Sequence, residues 1–298
     1  MGNFSSIFIQ TIIGGIGIGC LYGLVALGYS MTFRSMGLVN FAQGSIYMVG
    51  TYFGIIWYHG LVMGLKVPYA AAIFIGIFCN ALLGILLERI FRPLAKLDLM
   101  LMLLATIGLG FILDNLFTII FGAEGFAVKP PLSPTPWKIY GVRVLPQMAL
   151  LIGVSTLLMI GNNLFLSKTK VGMAMRASAM DFEIAQAMGI ATNRMNALAL
   201  SIGAMMSAAA GILAAPIVYV APSMGAAVGL KGFAAAVLGG LGSIPGAIAG
   251  GLAYGVIEAL SAGFISSQWT KAIAFIIMVV VLMLKPAGIV GEITIEKV

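Results

Sequence analysis

The sequence predicts an all-α fold: a polytopic transmembrane helical bundle of about eight to nine spans, with a broken or re-entrant helix in its C-terminal third. Three observations predict it. The chain is 61% hydrophobic and only 8% charged, with a mean hydropathy of +1.11, whereas a soluble domain carries roughly a quarter charged residues. Its apolar runs are long and unbroken, which excludes the alternating strands of a β-barrel. Between Gly229 and Leu260 a run otherwise fit to span is interrupted by Gly239, Gly240, Gly242 and Pro245. Such breaks are tolerated at membrane depth where the helix lines a cavity or packs inside protein. Residues 1–298 read as one transmembrane domain with two extramembrane loops, 122–146 and 167–194.

The first apolar run, Ile7 to Ser30, carries Gly15, Gly19 and Gly23 at four-residue spacing. Such rows let two helices approach closely, within a subunit or between subunits. After Arg34, the run Gly37 to Tyr58 takes Asn40, Gln43 and Ser45 into apolar surroundings. Uncharged amides there need a partner or a cavity, so they read either as inter-helix hydrogen bonds or as the lining of a solute path. A third span, Pro68 to Phe91, ends in the polar patch Glu88–Asp98 with Arg89, Arg92 and Lys96. The fourth, Leu99 to Phe121, contains Asp114 and Asn115. The segment Gly122 to Pro146 holds Pro130, Pro131, Pro134, Pro136 and Pro146. It cannot be helical throughout, and it reads as an extended exposed loop with Trp137 and Tyr140 near the interface. The fifth span is Met148 to Leu166, and the sixth is Met195 to Val218 with Gly203, Ser207 and Gly211. A short half-helix preceded by Lys231, a turn, and a second helix from about Gly246 follow. The last span is Trp269 to Leu284, with a tail carrying Lys285 and Lys297.

The polar loop Ser167–Arg194 predicts a helix of its own. Ser178 and Asp181 fit a capping box, and Gly189 stands where a left-handed C-terminal cap belongs. Met180, Ile184, Ala187 and Met188 form one apolar stripe, with Asp181, Glu183 and Gln186 mostly off it. Such a helix lies either on the bilayer surface or in a groove on a soluble partner.

Loop cations set the orientation. Arg34, Arg89, Arg92, Lys96, Lys168, Lys170, Arg176, Arg194, Lys285 and Lys297 fall on the cytoplasmic side. Lys66, Lys129, Lys138, Arg143, Lys231 and Lys271 fall on the other. If the broken segment crosses fully, there are about nine spans and the tail is inside; if it returns, there are about eight and the tail is outside.

Little catalytic chemistry is visible. The net charge of +7 fits loop cations facing anionic lipid, not nucleic-acid affinity. Cys20 and Cys79 lie inside apolar runs without disulfide or metal spacing, and His59 stands alone. No basic region precedes the first apolar run, so no cleavable signal peptide is expected. No G-x-x-x-x-G-K-[ST] phosphate loop occurs, and no paired carboxylates or Ser/His pair suggest catalysis. The ionisable residues inside apolar spans, Asp114 and Glu258, join Asn40, Gln43 and Lys231 as candidates for the path. Lys231 either snorkels to the interface or meets a solute carboxylate near the outer mouth. The chain reads as a passage for solute, with no cofactor of its own and energy supplied from elsewhere.

Three blocks carry a resemblance: Gly28–Tyr52, Arg176–Ile190 and Gly229–Gly251. They resemble permease subunits of ABC importers for branched-chain amino acids, of the LivH type, and the similarity extends to the terminal Glu296–Val298. Within the second block, Ala179, Asp181, Ala185, Gly189 and Ile190 resemble the cytoplasmic coupling loop of ABC permeases. The resemblance implies a second related permease subunit, two cytoplasmic ATPase subunits and a periplasmic amino-acid-binding protein as partners, in the inner membrane. It makes Ser178, Asp181, Glu183, Ile184, Ala187, Met188 and Gly189 the plug that an ATPase groove receives. Gln43 stands where many relatives have His, and Asp114 where a neutral amide is common. Related permeases also handle amides and urea. On the residues alone, a proton-coupled carrier using Asp114 or Glu258, and a scaffolding subunit without a conduit, stay open.

Overall fold

A computed structural model describes residues 2–60, 66–95, 98–133, 135–139 and 142–291. Lys96, Pro134, Tyr140, Lys297 and the terminal Glu296–Val298 lie outside the described residues. These residues form eleven helices: α1 (Gly2–Met36), α2 (Gln43–His59), α3 (Tyr69–Ala95), α4 (Leu99–Phe121), α5 (Pro146–Lys168), α6 (Lys170–Met180), α7 (Phe182–Ala187), α8 (Thr192–Ala214), α9 (Met224–Gly239), α10 (Ile244–Phe264) and α11 (Thr270–Leu284). Six of them, α1, α3, α4, α5, α8 and α10, are long and apolar enough to cross a membrane. With 17, 16 and 15 residues, α2, α9 and α11 fall short of the about 20 that a full crossing takes.

The bundle has two distinct ends. At one, the C-terminal ends of α1 and α3, the start of α8, the α9–α10 turn and the residues after α11 gather around a cavity shared with α6. At the other, Phe126 and Val220 pair through their backbones, and the Tyr58 hydroxyl donates to Lys129 O at 3.1 Å. The six long helices run between these ends, whereas α2 starts partway along, where Gln43 meets Gly203 and Ser207 midway through α8. α9 runs to the α6 end, α10 returns, and α11 comes back, so the tail lies with Arg34, Arg176 and Arg194. The tail is therefore on the side expected if the broken segment crosses, although α9 with its 16 residues is shorter than a full span.

Small residues govern the packing. Gly15, Gly19 and Gly23 of α1 lie against α10: a Cβ on Gly19 would sit 2.9 Å from Leu252 Cα, and one on Gly15 2.9 Å from Ala259 Cβ. Gly203 of α8 faces Gly28, and Gly211 faces Tyr47 and Thr51. Both glycine rows therefore pack within this subunit. Buried polar side chains then cross-link the helices. Asn80 donates to Ile46 O at 3.2 Å and Ala204 O at 2.7 Å, tying α3 to α2 and α8. Gln147 donates to Leu213 O at 2.9 Å, and Tyr69 to Ile212 O at 2.7 Å. In a medium without water, each such bond spares a carbonyl or amide several kcal/mol of exposure, on the order of 2–7.

The break between α9 and α10 is built as the glycines predict. Gly240 and Gly242 have φ of 107° and 82°, a region only glycine enters without a Cβ penalty. Ser243 then caps α10, its hydroxyl accepting from Gly246 N at 3.1 Å, with Pro245 in the first turn. The tail closes this turn: Ile289 N donates to Leu238 O at 2.9 Å and Val290 N to Gly239 O at 3.1 Å.

Two expectations are corrected. Lys231 does not precede the short helix but lies midway along α9, because the helix starts at Met224. The Pro-rich segment is not irregular throughout. Strands β1 (Trp137–Ile139) and β2 (Val142–Val144) form a hairpin with Trp137 opposite Val144. The prolines stop at Pro136 and resume only at Pro146, leaving a donor-complete stretch with alternating side chains between them.

Candidate functional site

α5 hands over to α6 through Thr169, whose hydroxyl accepts from Gly172 N at 3.0 Å. α6 ends at Met180. Asp181, extended at φ −152° and ψ 115°, caps α7 by accepting from Ile184 N at 2.8 Å. This corrects the capping box. Ser178 is not a cap; it sits in the last turn of α6 with its hydroxyl buried and 5% of the residue exposed. The single helix expected from Ser178 to Gly189 is two helices. The reason is that the stretch from Lys170 is already helical with its own cap at Thr169, so α6 runs through Ser178 and the chain turns only at Asp181. Gly189 behaves as expected: its φ is 83°, and Ile190 N donates back to Ala185 O at 3.0 Å, a left-handed helix ending.

This geometry aims α7 outward. Met180, Ile184 and Met188 are 83%, 64% and 79% exposed. Glu183 and Ala187 are exposed beside them, and only Ala185 of α7 is buried. Large apolar side chains held clear of the bundle on a capped, rigid turn mark a contact surface. Behind α7, a cavity of about 1070 Å³ is lined by Arg34, Arg92, Ser178, Asn193 and Ser243 among others. Glu88 at its edge is neutralised by a bidentate bond from Arg92, at 2.9 and 2.6 Å. Thr192 opens α8 two residues after Ile190, so short connections join α7 to α6 and α5 on one side and to α8 on the other.

The remaining candidates separate into three places. Gln43 donates to Ser207 Oγ at 2.7 Å and Gly203 O at 3.2 Å, and the Asn40 carboxamide oxygen accepts from Ala42 N at 3.0 Å. Both residues are buried: the first joins α2 to α8, and the second forms the turn into α2 with its amide nitrogen left without a hydrogen-bond partner. Lys231 and Glu258 meet. The Lys231 ammonium lies 2.5 Å from Glu258 Oε1 and donates to the Tyr22 hydroxyl at 3.0 Å, bridging α9, α10 and α1. Their side chains are 18% and 15% exposed, and Lys231 is paired with Glu258 and Tyr22 rather than a free cation. Asp114 stands apart on α4, half-buried, on a cleft that it shares with Ser45. Tyr22 was not singled out by the sequence, where nothing distinguishes it from other tyrosines in apolar runs. Among the described residues no group of three His, Cys, Asp or Glu side chains is placed to hold a metal.

The family model for the branched-chain amino acid transport system / permease component matches residues 11–282. The chain belongs to this family. High-affinity branched-chain amino acid transport system permease proteins are similar along nearly their whole length: LivH of Salmonella typhimurium, LivH of Escherichia coli K12 and BraD of Pseudomonas aeruginosa. Each is 35% identical over 98% of both chains. No solved structure matches. The geometry above thus has two parts: a bundle held by glycine contacts and a part-buried ion pair, and one outward-facing helix, α7.

Proposed function

We propose that this permease is the membrane subunit of an ATP-driven ABC importer for branched-chain, hydrophobic amino acids. It forms the translocation path with a second related permease, in the bacterial inner membrane. Two cytoplasmic ATPase subunits drive it, and a periplasmic binding protein delivers the amino acid. The observation that carries this reading is α7, capped at Asp181 and Gly189, with Ile184 and Met188 held outward at the cation-rich end of the bundle. The sequence has no phosphate loop of its own, so the energy must come through a contact, and α7 is the part built to make one. The relatives' names point to branched-chain amino acids as the solute. The alternative of a proton carrier through Glu258 is disfavoured, because that carboxylate is committed to Lys231.

The mechanism follows from the connections. When the ATPases close on ATP, the groove holding Ile184 and Met188 moves. Because α7 is joined to α6 by one extended residue and to α8 by a short turn, it transmits that motion to α5 and α8, which makes alternating access a rigid-body event.

Burying a large apolar side chain is worth about 1.5–3 kcal/mol. The pair Ile184→Asp and Met188→Asp is therefore expected to weaken ATPase association by a hundredfold or more, on the order of 3 kcal/mol. Co-purification with the ATPases and amino-acid uptake should both be lost while membrane insertion is unchanged. Full co-purification and uptake by this double variant would refute the docking assignment. Asp181→Ala has a smaller expected effect: loss of one cap costs about 0.5–2 kcal/mol of local helix stability, to be seen as lower ATP hydrolysis per molecule transported in proteoliposomes. Asp181→Asn, which keeps an accepting oxygen, should restore most of the coupling.

A further inference from the structure

α4 and α9 do not close on one another. Between them lies a cleft of about 410 Å³, floored by α2 and lined by Ser45, Gly110, Phe111, Asp114, Ala226 and Phe233 among others. The floor is largely backbone, because Gly44 packs directly on Gly225 and Gly229. Asp114 is the only charged residue lining the cleft. Its Oδ1 is buried with no partner at hydrogen-bond distance, and the Ser45 hydroxyl beside it is shared with Gly110 O, to which it donates at 3.2 Å. A carboxylate in an apolar wall is costly without a cation, and the nearest cation in the sequence of α9, Lys231, is held by Glu258 and Tyr22. The same cleft takes in the first turn of α9, at Gly225 and Ala226. Ser223 makes no side-chain capping bond there, so the first-turn N–H groups lack a side-chain acceptor and carry the positive end of the helix dipole. Phe111, Leu230 and Phe233 supply an apolar wall.

We propose that this cleft is a transit site for a zwitterionic amino acid with an apolar side chain: its ammonium on Asp114, its carboxylate at the first turn of α9, its side chain against Phe111 and Phe233. The charge pattern selects this occupant. A simple fatty chain would leave Asp114 unpaired, and an anionic headgroup would bring only negative charge against it. An ethanolamine headgroup shares the ammonium, and labelling only by a membrane-permeant reagent distinguishes it. The cleft is open along one side, so it holds the amino acid weakly, as a path requires. This deepens the proposed import function and rests on it.

The test uses the assembled transporter in proteoliposomes, with Cys20→Ala and Cys79→Ala as background and Ala226→Cys as the reporter. A water-soluble thiol reagent is expected to label Ala226→Cys, and L-leucine at ten times its dissociation constant should slow labelling about tenfold. Isocaproate, which lacks the ammonium, and leucinamide, which lacks the carboxylate, should each protect far less. Asp114→Asn should abolish protection by L-leucine while leaving labelling without ligand unchanged. Equal protection by isocaproate would mean apolar filling only, and would overturn the proposal. So would a reporter that never reacts, as when a second permease covers the cleft, or one that reacts only with a membrane-permeant reagent, as when lipid fills it. ATP hydrolysis stimulated by the amino-acid-loaded binding protein, measured on the transporter without these substitutions, separates the two failures. If stimulation is present and protection absent, the site assignment alone falls; if stimulation is absent, the importer reading falls first.

Discussion

Gly255→Ala is expected to destabilise the permease, while the same substitution at Gly153 is expected to stabilise it. Both glycines lie inside long helices, α10 and α5, where alanine is the better helix former by roughly 0.5–1 kcal/mol. They differ in what a new methyl meets. A Cβ on Gly153 finds nothing within 4 Å. A Cβ on Gly255 falls inside contact distance of the Gly19 backbone of α1, with Gly15 O 2.7 Å away. Backbone cannot step aside as a flexible side chain can, so α1 and α10 must separate along their shared face. Overpacking of this kind costs about 1–3 kcal/mol and sometimes more, enough to outweigh the propensity gain. Thermal midpoints of the purified full chain should move in opposite directions for the two variants. A raised midpoint for Gly255→Ala would mean that the α1–α10 contact does not hold the bundle together.

Removing one partner of the Lys231–Glu258 pair should cost far more than removing both. Glu258→Ala leaves a part-buried ammonium with the Tyr22 hydroxyl and ring beside it. Isolating one member of a fully buried pair costs about 3–5 kcal/mol, of which this partly exposed pair should show the lower part. The double variant Lys231→Met with Glu258→Leu removes both charges and fills the space with apolar groups, a replacement that is often neutral. It is expected to recover most of the lost stability and of the folded yield in the membrane. Additive losses in the double variant would show that the two side chains act independently and that the ion pair is incidental to folding.

The spans were legible because hydrocarbon demands long apolar runs, and such runs leave few alternative readings. The break at Gly239–Pro245 was legible for a related reason: glycine and proline act on the backbone whatever surrounds them. What a side chain touches was not legible. Gly15, Gly19 and Gly23 announced a close approach but not that α10, over two hundred residues later, was the partner. Lys231 and Glu258 were both noticed, as separate curiosities, since only the hairpin of α9 and α10 brings them within reach. The misassigned cap at Ser178 has a simple cause. Ser–x–x–Asp is a valid start signal taken alone, but here the preceding residues were already helical, and the acid, not the serine, became the cap. Gln43 and Asn40 could be narrowed to packing or path from their polarity, but that Ser207 and Ala42 would be their partners lay in the fold. For Asp114, the cleft it borders is made by α1, α2, α4 and α9, from distant parts of the chain.

The residues after α11 have a consequence for how the protein is made. The carbonyls of Leu238 and Gly239, at the end of α9, receive their partners from Ile289 and Val290. α9 and α10 are synthesised and inserted well before those residues leave the ribosome. During that interval the turn joining them carries open acceptors at the cation-rich end of the bundle. The residues after α11 act as a latch, so that end of the bundle closes only once they have been made.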